Sequence, residues 1–328
     1  MAEKGLRPPD PVGGLDRVHV ENTVTHPPGK RVKVAIFNIE RGVQLSLILA
    51  YLKYHPALRC ADIILANELD YGMARSGNKY IAREIAAELG MNFAFGVEFL
   101  SVYAGMDGNE RGLHGNAIFS RFPLLNAELQ RLPVAYDWFY DEQKRLYNRM
   151  ALYATVELAE GRAALCCTHL ENRTAATRRL DQMRALLDRA DQYAGGLPVI
   201  IGGDMNTNTV DYSPGAMLRL SRSKELQLQR LAEVPAHEPL IDYTAGRGYS
   251  YADCNIMAKT TRRRPEPGFP DIELNLDWFF QRGFICSNRE RVEGIFDHRA
   301  LIPEAPDFSA YDGLLLSDHD AVVTEFSF

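Results

Sequence analysis

Ser317-Asp318-His319 stands just before an apolar run at 321–328. An acid beside an imidazole at the mouth of a strand is a reactive pairing, because a carboxylate fixes the imidazole tautomer and raises its proton affinity. Four more polar clusters end apolar runs: Asn38-Ile39-Glu40, Asn67-Glu68, Thr168-His169 and Gly203-Asp204-Met205-Asn206. A fifth, Leu276-Asp277-Trp278, lies inside one. Glu68, after DIILAN, is the oxygen ligand a hard cation such as Mg²⁺ takes, one or two carboxylates sufficing because the ion keeps most of its waters. It is also the kind of acid found solvated in loops. Asn38 and Glu40, one residue apart, share a side if the backbone is extended. Asn38 can then orient a carboxylate while Glu40 supplies a second metal ligand. Asp204 can orient or deprotonate an attacking water, and the Asn206 amide can donate to a phosphoryl oxygen; an Asx turn is the structural alternative. His169 can donate to a phosphoryl oxygen or protonate a leaving group. Asp277, between apolar residues, needs a partner if buried, and His319 is the candidate. Asp318 is then free to hold a metal or a water.

The elements that position these groups follow from periodicity. Short apolar runs at 32–37, 62–66, 93–100, 116–119, 197–201, 276–280 and 321–328 predict strands, and 150–158 with 163–167 a hairpin across Glu160-Gly161. Helical spacing predicts helices over 43–54, 78–90 (ended by Gly90), 175–193 and 214–231. In the third, Arg178, Arg179, Asp181, Arg184 and Arg189 mostly form the polar face. Residues 232–275, polar and rich in Gly and Pro, with Arg262-Arg263-Arg264, read as long functional loops. Strands mixed with helices and a hairpin give an α/β chain with mixed sheets.

With 46% hydrophobic residues, the 328-residue chain can bury a sizeable core. A net charge of -6 gives no general attraction to nucleic acid or anionic membranes, although a local basic groove remains compatible with it. The five cysteines form no CxxC pair; Cys166 and Cys167 fall on opposite faces of a strand. Residues 1–30, rich in Pro, Gly and charge, read as a flexible segment without a secretory h-region, ahead of a single domain over 31–328. No run approaches the ~18 apolar residues of a membrane span, and a cytoplasmic location is expected. GxSxG, HExxH, P-loop and GxGxxG patterns are absent before a suitable helix, so serine-nucleophile, zinc and dinucleotide chemistries lack support.

Taken in order, FNIE (37–40), NELD (67–70), HGNAIFSRFPL (114–124), THLEN (168–172), GGDMN (202–206), LDWFF (276–280) and SDHDAV (317–322) resemble the endonuclease/exonuclease/phosphatase superfamily. The resemblance covers about 31–328. It implies the DNase I-like fold, a four-layer sandwich of two mixed β-sheets flanked by helices, and hydrolysis of phosphate esters with a divalent metal, Mg²⁺ or Mn²⁺. By matching position, Glu68 is the principal metal ligand, supported by Asn38, Glu40 and Asp318. Asp204 and Asn206 orient the water and the phosphate, His169 contacts the phosphate, and Asp277 partners His319. Asn116 borders the site. Phe37 stands where many members have Trp, and Glu40 where some have Asp. A phosphodiesterase using in-line water attack is the leading expectation. The alternatives are a DNA or RNA nuclease, a phospholipid, sphingomyelin or inositol-phosphate hydrolase, and a non-catalytic binding module. Substrate choice would lie in loops 70–79, 136–148 and 243–270, where Arg75 can meet a phosphate and the aromatics of 136–140 can stack on a base.

Overall fold

Alternating and fully apolar runs become the strands of two sheets, and the helical stripes cover their outer faces. The computed structural model describes residues 14–207, 214–263 and 271–328. In chain order the first half comprises β1 (His19–Glu21), β2 (Arg31–Arg41), α1 (Leu45–Tyr54), β3 (Ile63–Tyr71), α2 (Ile81–Leu89), β4 (Asn92–Ser101), β5 (Leu113–Ser120), β6 (Leu125–Arg131) and β7 (Arg145–Leu146). Then come β8 (Met150–Leu158), β9 (Gly161–His169), α3 (Ala176–Ala194), β10 (Val199–Asp204), α4 (Pro214–Arg222), α5 (Lys224–Ala232), α6 (Val234–His237) and α7 (Pro239–Gly246). The chain closes with β11 (Thr261–Arg263), β12 (Ile272–Leu274), β13 (Asp277–Arg282), β14 (Ile285–Val292) and β15 (Ala321–Ser327).

One sheet has the order β1-β4-β5-β3-β2-β15-β14, with β7 beside β4; the other has the order β13-β10-β9-β8-β6. Only β2–β3 and β9–β10 are parallel among the described pairs, so both sheets are mixed. Val34, Ile36, Ile63, Leu65 and Ile118 of the first sheet meet Leu152, Ala154, Leu165, Cys167, Ile200 and Phe279 of the second in a shared core. Leu47, Ile48 and Tyr51 of α1 and Ile81 and Ile85 of α2 pack on the outer face of the first sheet. Met183, Leu186 and Leu187 of α3 and Leu240 and Ile241 of α7 do the same on the second. The result is the expected α/β four-layer sandwich. Cys166 lies in the outer core and Cys167 between the sheets, on opposite faces as alternation requires.

Several expectations are corrected. Residues 15–24 are not free: β1 pairs with β4, the Asn22 side chain exchanges two hydrogen bonds with the Leu124 backbone, and Arg131 reaches Leu15 and Asp16. Residues 1–13 lie outside the described residues. The helix expected over 214–231 is two helices, because the Ser223 hydroxyl accepts from the Leu226 amide and caps a new start. The region 232–275 is not all loop: it holds α6, α7 and the β11–β12 pair. Arg179 is not on the polar face of α3; it is fully buried in an ion pair with Glu238.

Candidate active site

Both parallel strand pairs send their carboxyl ends to the same end of the sandwich, and the antiparallel strands β13 and β15 begin there. Register does the rest. In the second sheet Asp204 is flanked by His169 on one side and Asp277 on the other. In the first, Asn38 lies opposite Asn67. The two sheets are joined at this end by Asn67, which accepts from the Asp204 amide (2.9 Å) and donates to the Thr168 carbonyl (3.0 Å) and to Asn116 Oδ1 (3.1 Å). Gly203 is needed for that approach. Its φ is +144°, and a Cβ there would sit 1.9 Å from the Thr168 carbonyl oxygen and 2.9 Å from Asn67 Oδ1.

The strands carrying the site depart from regular geometry where the functional residues sit. β2 bulges after Asn38 and β3 after Ala66, and Glu40, Arg41, Glu68 and Asn206 all have positive φ (45°, 68°, 58° and 49°). Non-glycine residues in this region are strained, and such strain gathers at functional positions. The simple alternation assumed for Asn38 and Glu40 is therefore corrected. Asn38 is buried, and Glu40 reaches the site from a bulge, where its Oε2 accepts from the Asp318 amide at 3.2 Å.

Three donors converge on one oxygen. Asp204 Oδ2 lies 3.2 Å from Asn38 Nδ2, 3.3 Å from His169 Nε2 and 3.5 Å from His319 Nε2. Asp204 Oδ1 accepts from the Asn206 amide at 2.9 Å, and the Asn206 side chain donates to the Leu170 carbonyl. Burial alone would push the Asp204 carboxyl up, but His169 and His319 hold it far below the ordinary range, so it stays ionised. His319 Nδ1 lies 2.9 Å from Asp277 Oδ2. Burial opposes charge on that imidazole, yet Asp277, Asp204 and Asp318 outweigh it and keep His319 protonated well above its usual pKa. Asp277 is itself raised by burial, so this pair retains its proton. Ser317 donates to the Asn38 carbonyl (2.7 Å) and accepts from the His319 amide (3.1 Å), a bracing role.

Glu68, Glu40 and Asp318 form an acidic edge beside this point. The Glu40 carboxyl is pushed up by burial and then by the Asp318 and Glu68 carboxylates. Burial would raise Glu68 as well, but His114, His169, Arg41 and His319 hold it well below its ordinary value. Asn38 Nδ2 is 3.4 Å from Glu68 Oε1, and Arg41 Nε stands 3.8 Å from Oε2. Mutually repelling carboxylates offering oxygen alone fit a hard divalent cation. Asp204, Asp277 and His319 lie closer together than this acidic edge, with one ligand atom of each within 4.8 Å of the others. There, however, an imidazolium already sits between two carboxylates, which leaves no need for a cation.

Asn116 Oδ1 accepts from the Asn67 side chain and the Glu68 amide (3.3 Å), bracing Glu68, while its buried amide nitrogen has no partner. Arg75 is engaged by Asp70 through two hydrogen bonds of 2.7 and 2.8 Å, and Asp70 also holds His114. Arg262 is turned inward: its side chain is 10% exposed and faces Asp320 at 2.8 Å, while its amide donates to the Asp318 carbonyl. Arg264 lies outside the described residues.

Sequence reading missed four contributors. Glu98 on β4 is fully buried, with Oε1 paired to Arg149 (3.0 Å) and Oε2 unpartnered, 3.8 Å from the equally unpartnered His169 Nδ1. It sits within an apolar run with nothing to distinguish it. Asn67 was read with Glu68 but not as the inter-sheet clasp. Thr260 accepts from the Leu276 and Asp277 amides and so fixes the start of β13. Arg145 lines a cleft of about 220 Å³ that opens beside Glu68, next to Trp138, one of the aromatics already expected near the substrate.

The comparisons agree with this architecture. Solved structures of an endonuclease/exonuclease/phosphatase protein from Beutenbergia cavernae and of the human Nocturnin catalytic domain with bound sulfate superimpose with TM-scores of 0.56 and 0.58. Each is 19% identical over 91% and 92% of this chain, covering 72% and 100% of the other. A mannosyl-6-phosphatase from Bacteroides thetaiotaomicron gives 0.53 at 14% identity over 90% of this chain and all of its own. At these identities the likeness is one of fold. No curated protein matches the sequence. The sequence profile of the Endonuclease/Exonuclease/phosphatase family, by contrast, matches residues 35–319 and so takes in every candidate site residue from Asn38 to His319. The chain belongs to the endonuclease/exonuclease/phosphatase family.

Proposed function

We propose that the protein hydrolyses phosphate esters, diesters in preference to monoesters, by in-line attack of water at phosphorus. The observation that carries this reading is the convergence of Asn38, His169 and His319 on Asp204 Oδ2. Donors drawn from both sheets are aimed at one point, the preorganisation that a phosphoryl group gathering charge requires. Asp204, ionised, accepts from the attacking water and aligns it. His319, protonated, donates Nε2 to a phosphoryl oxygen, and His169 donates to another or to the leaving oxygen. Glu68, Glu40 and Asp318 would hold Mg²⁺, or Mn²⁺, with Asn38 keeping Glu68 in place. That ion, when bound, neutralises charge on the phosphoryl oxygens and lowers the pKa of water. Arg262 and its ion pair with Asp320 count against a broad nucleic-acid surface at this end, which favours a compact ester over a duplex.

The test is turnover of bis-p-nitrophenyl phosphate and of p-nitrophenyl phosphate with Mg²⁺, Mn²⁺ or EDTA. The diester is expected to be cleaved faster, and only with metal. Asp204→Asn and His319→Ala each lower kcat by about 10²–10⁴ while the chain stays folded. Full activity in either variant removes the assignment.

A further inference from the structure

The cleft that opens beside Glu68 is lined by Arg41, Arg145, Arg149 and Arg173 against only two acids, Glu68 and Asp141. Three of the arginines have carboxylate partners. Arg41 faces Glu68, Arg149 faces Glu98 and Glu171, and Arg173 faces Asp141 at 3.3 Å. Arg145 does not: among the described residues no carboxylate lies within ion-pair distance, and its guanidinium donates only to Gln143 Oε1 (2.6 Å). It is nevertheless held firmly in place. It sits 4.5 Å from the ring centre of Trp138 and 5.1 Å from that of Phe99, and its backbone is paired with Ser101 on β4. Trp138 is itself fixed by donating to Glu171 at 2.9 Å. A half-buried guanidinium, oriented by two aromatic faces and feeling Glu68 and Asp141 only beyond ion-pair distance, is set up to receive an anion. Its planar fork suits the oxygens of a phosphate. The same residue, with His114 and Gln143, also lines an adjoining cleft of about 180 Å³ that carries Lys144 and Tyr103.

We infer that Arg145 binds a second phosphate group of the substrate, next to the one that is hydrolysed. The inference rests on the proposed hydrolysis for its place in the reaction, but not for the binding event itself. The substrate class is a compact ester that carries two phosphate groups. Successive phosphates of an oligonucleotide share that chemistry, and so does a small polyol that carries one phosphodiester and one further phosphate. The size of the cleft and the inward turn of Arg262 favour the small molecule.

Two measurements test this, using the full chain. The first is kcat/KM with Mn²⁺ for bis-p-nitrophenyl phosphate, for a thymidine dinucleotide with and without a 5′-phosphate, and for glycerophosphoinositol with and without a phosphate on the ring. Wild type is expected to favour the two-phosphate member of at least one pair by tenfold or more, with the inositol pair giving the larger ratio. Arg145→Gln is expected to bring that ratio near one, through KM, while Arg145→Lys restores part of it. A larger ratio for the dinucleotide pair overturns the small-molecule assignment. The second is calorimetric binding of inorganic phosphate in EDTA, where wild type is expected to bind at least tenfold more tightly than Arg145→Gln. If the simple diester is cleaved but both ratios are equal in wild type and Arg145→Gln, the phosphate site is wrong and the hydrolase stands. If no ester is cleaved, the calorimetry still decides: equal phosphate affinity in the two proteins overturns the site.

Discussion

Glu98 is the residue whose role depends most on its surroundings. A fully buried acid with one oxygen on Arg149 and the other facing His169 Nδ1 repeats, at looser distance, the arrangement of Asp277 with His319. Each imidazole then has a carboxylate behind it and points Nε2 at Asp204. A carboxylate there fixes the tautomer that leaves Nε2 free to donate. Glu98→Gln keeps the shape and removes the charge, and it is expected to lower kcat by about tenfold or more with little change in KM. Steady-state kinetics on the p-nitrophenyl diester checks it, and a change in KM alone would assign Glu98 to binding instead.

At the scale of the elements, the backbone between β10, β9 and β3 is as constrained as any side chain. Gly203→Ala places a methyl against the Thr168 carbonyl at a φ that only glycine tolerates. The expected cost is at least about 1–3 kcal/mol, read from urea unfolding, with activity falling because Asp204 is displaced. The β11–β12 pair braces the other side. Thr261 bridges to His319, the Arg262 amide donates to the Asp318 carbonyl, and the Asp320 amide donates to the Thr260 carbonyl. β12 is tied down by Glu273, which pairs with Lys224 of α5 and with Lys259. Those two lysines hold its carboxyl at about 2 in the folded chain, below the unfolded value of 4.5. Because the folded pKa is the lower one, the stabilisation is complete above pH 4.5 and disappears as the pH falls through about 2. Protection of the amides of 260–262, taken relative to the intrinsic exchange rate at each pH, is therefore expected to fall across that window in wild type, and to fall less in Glu273→Gln.

At the scale of the molecule, the site belongs to neither sheet alone. Asn38, Glu40, Glu68, Asp318 and His319 come from the first sheet or its approach, and His169, Asp204 and Asp277 from the second. Any ion held by the acidic edge is therefore expected to bind the folded chain far better than the unfolded one. At a hundred times its dissociation constant, Mn²⁺ would add about 2.7 kcal/mol of stability. A rise of several degrees in melting temperature is expected in wild type and its absence in Glu68→Gln. An equal rise in both proteins would move the ion elsewhere. Among the described residues no helix is long and apolar enough to cross a membrane.

By itself the sequence determined the class of this protein. Strand and helix periods sufficed for an α/β chain with mixed sheets, because those are written in local pattern, whereas the two-sheet sandwich and the candidate site followed from the likeness of the ordered clusters to the endonuclease/exonuclease/phosphatase superfamily. What stayed illegible was whatever depends on residues distant in the chain. Glu98 looks like any strand residue until β4 carries it behind His169. Arg179 looks like a solvated helix face until Glu238 arrives to pair with it. Arg262 looks like a basic patch until Asp320 turns it inward. Arg145 looks like one charge among several in a polar loop until the fold places Trp138 and Phe99 against it and, among the described residues, no carboxylate within ion-pair distance. Charge pairing and desolvation are set by neighbours in space, so only the tertiary structure could decide which arginines of the cleft have a carboxylate within ion-pair distance and which one does not.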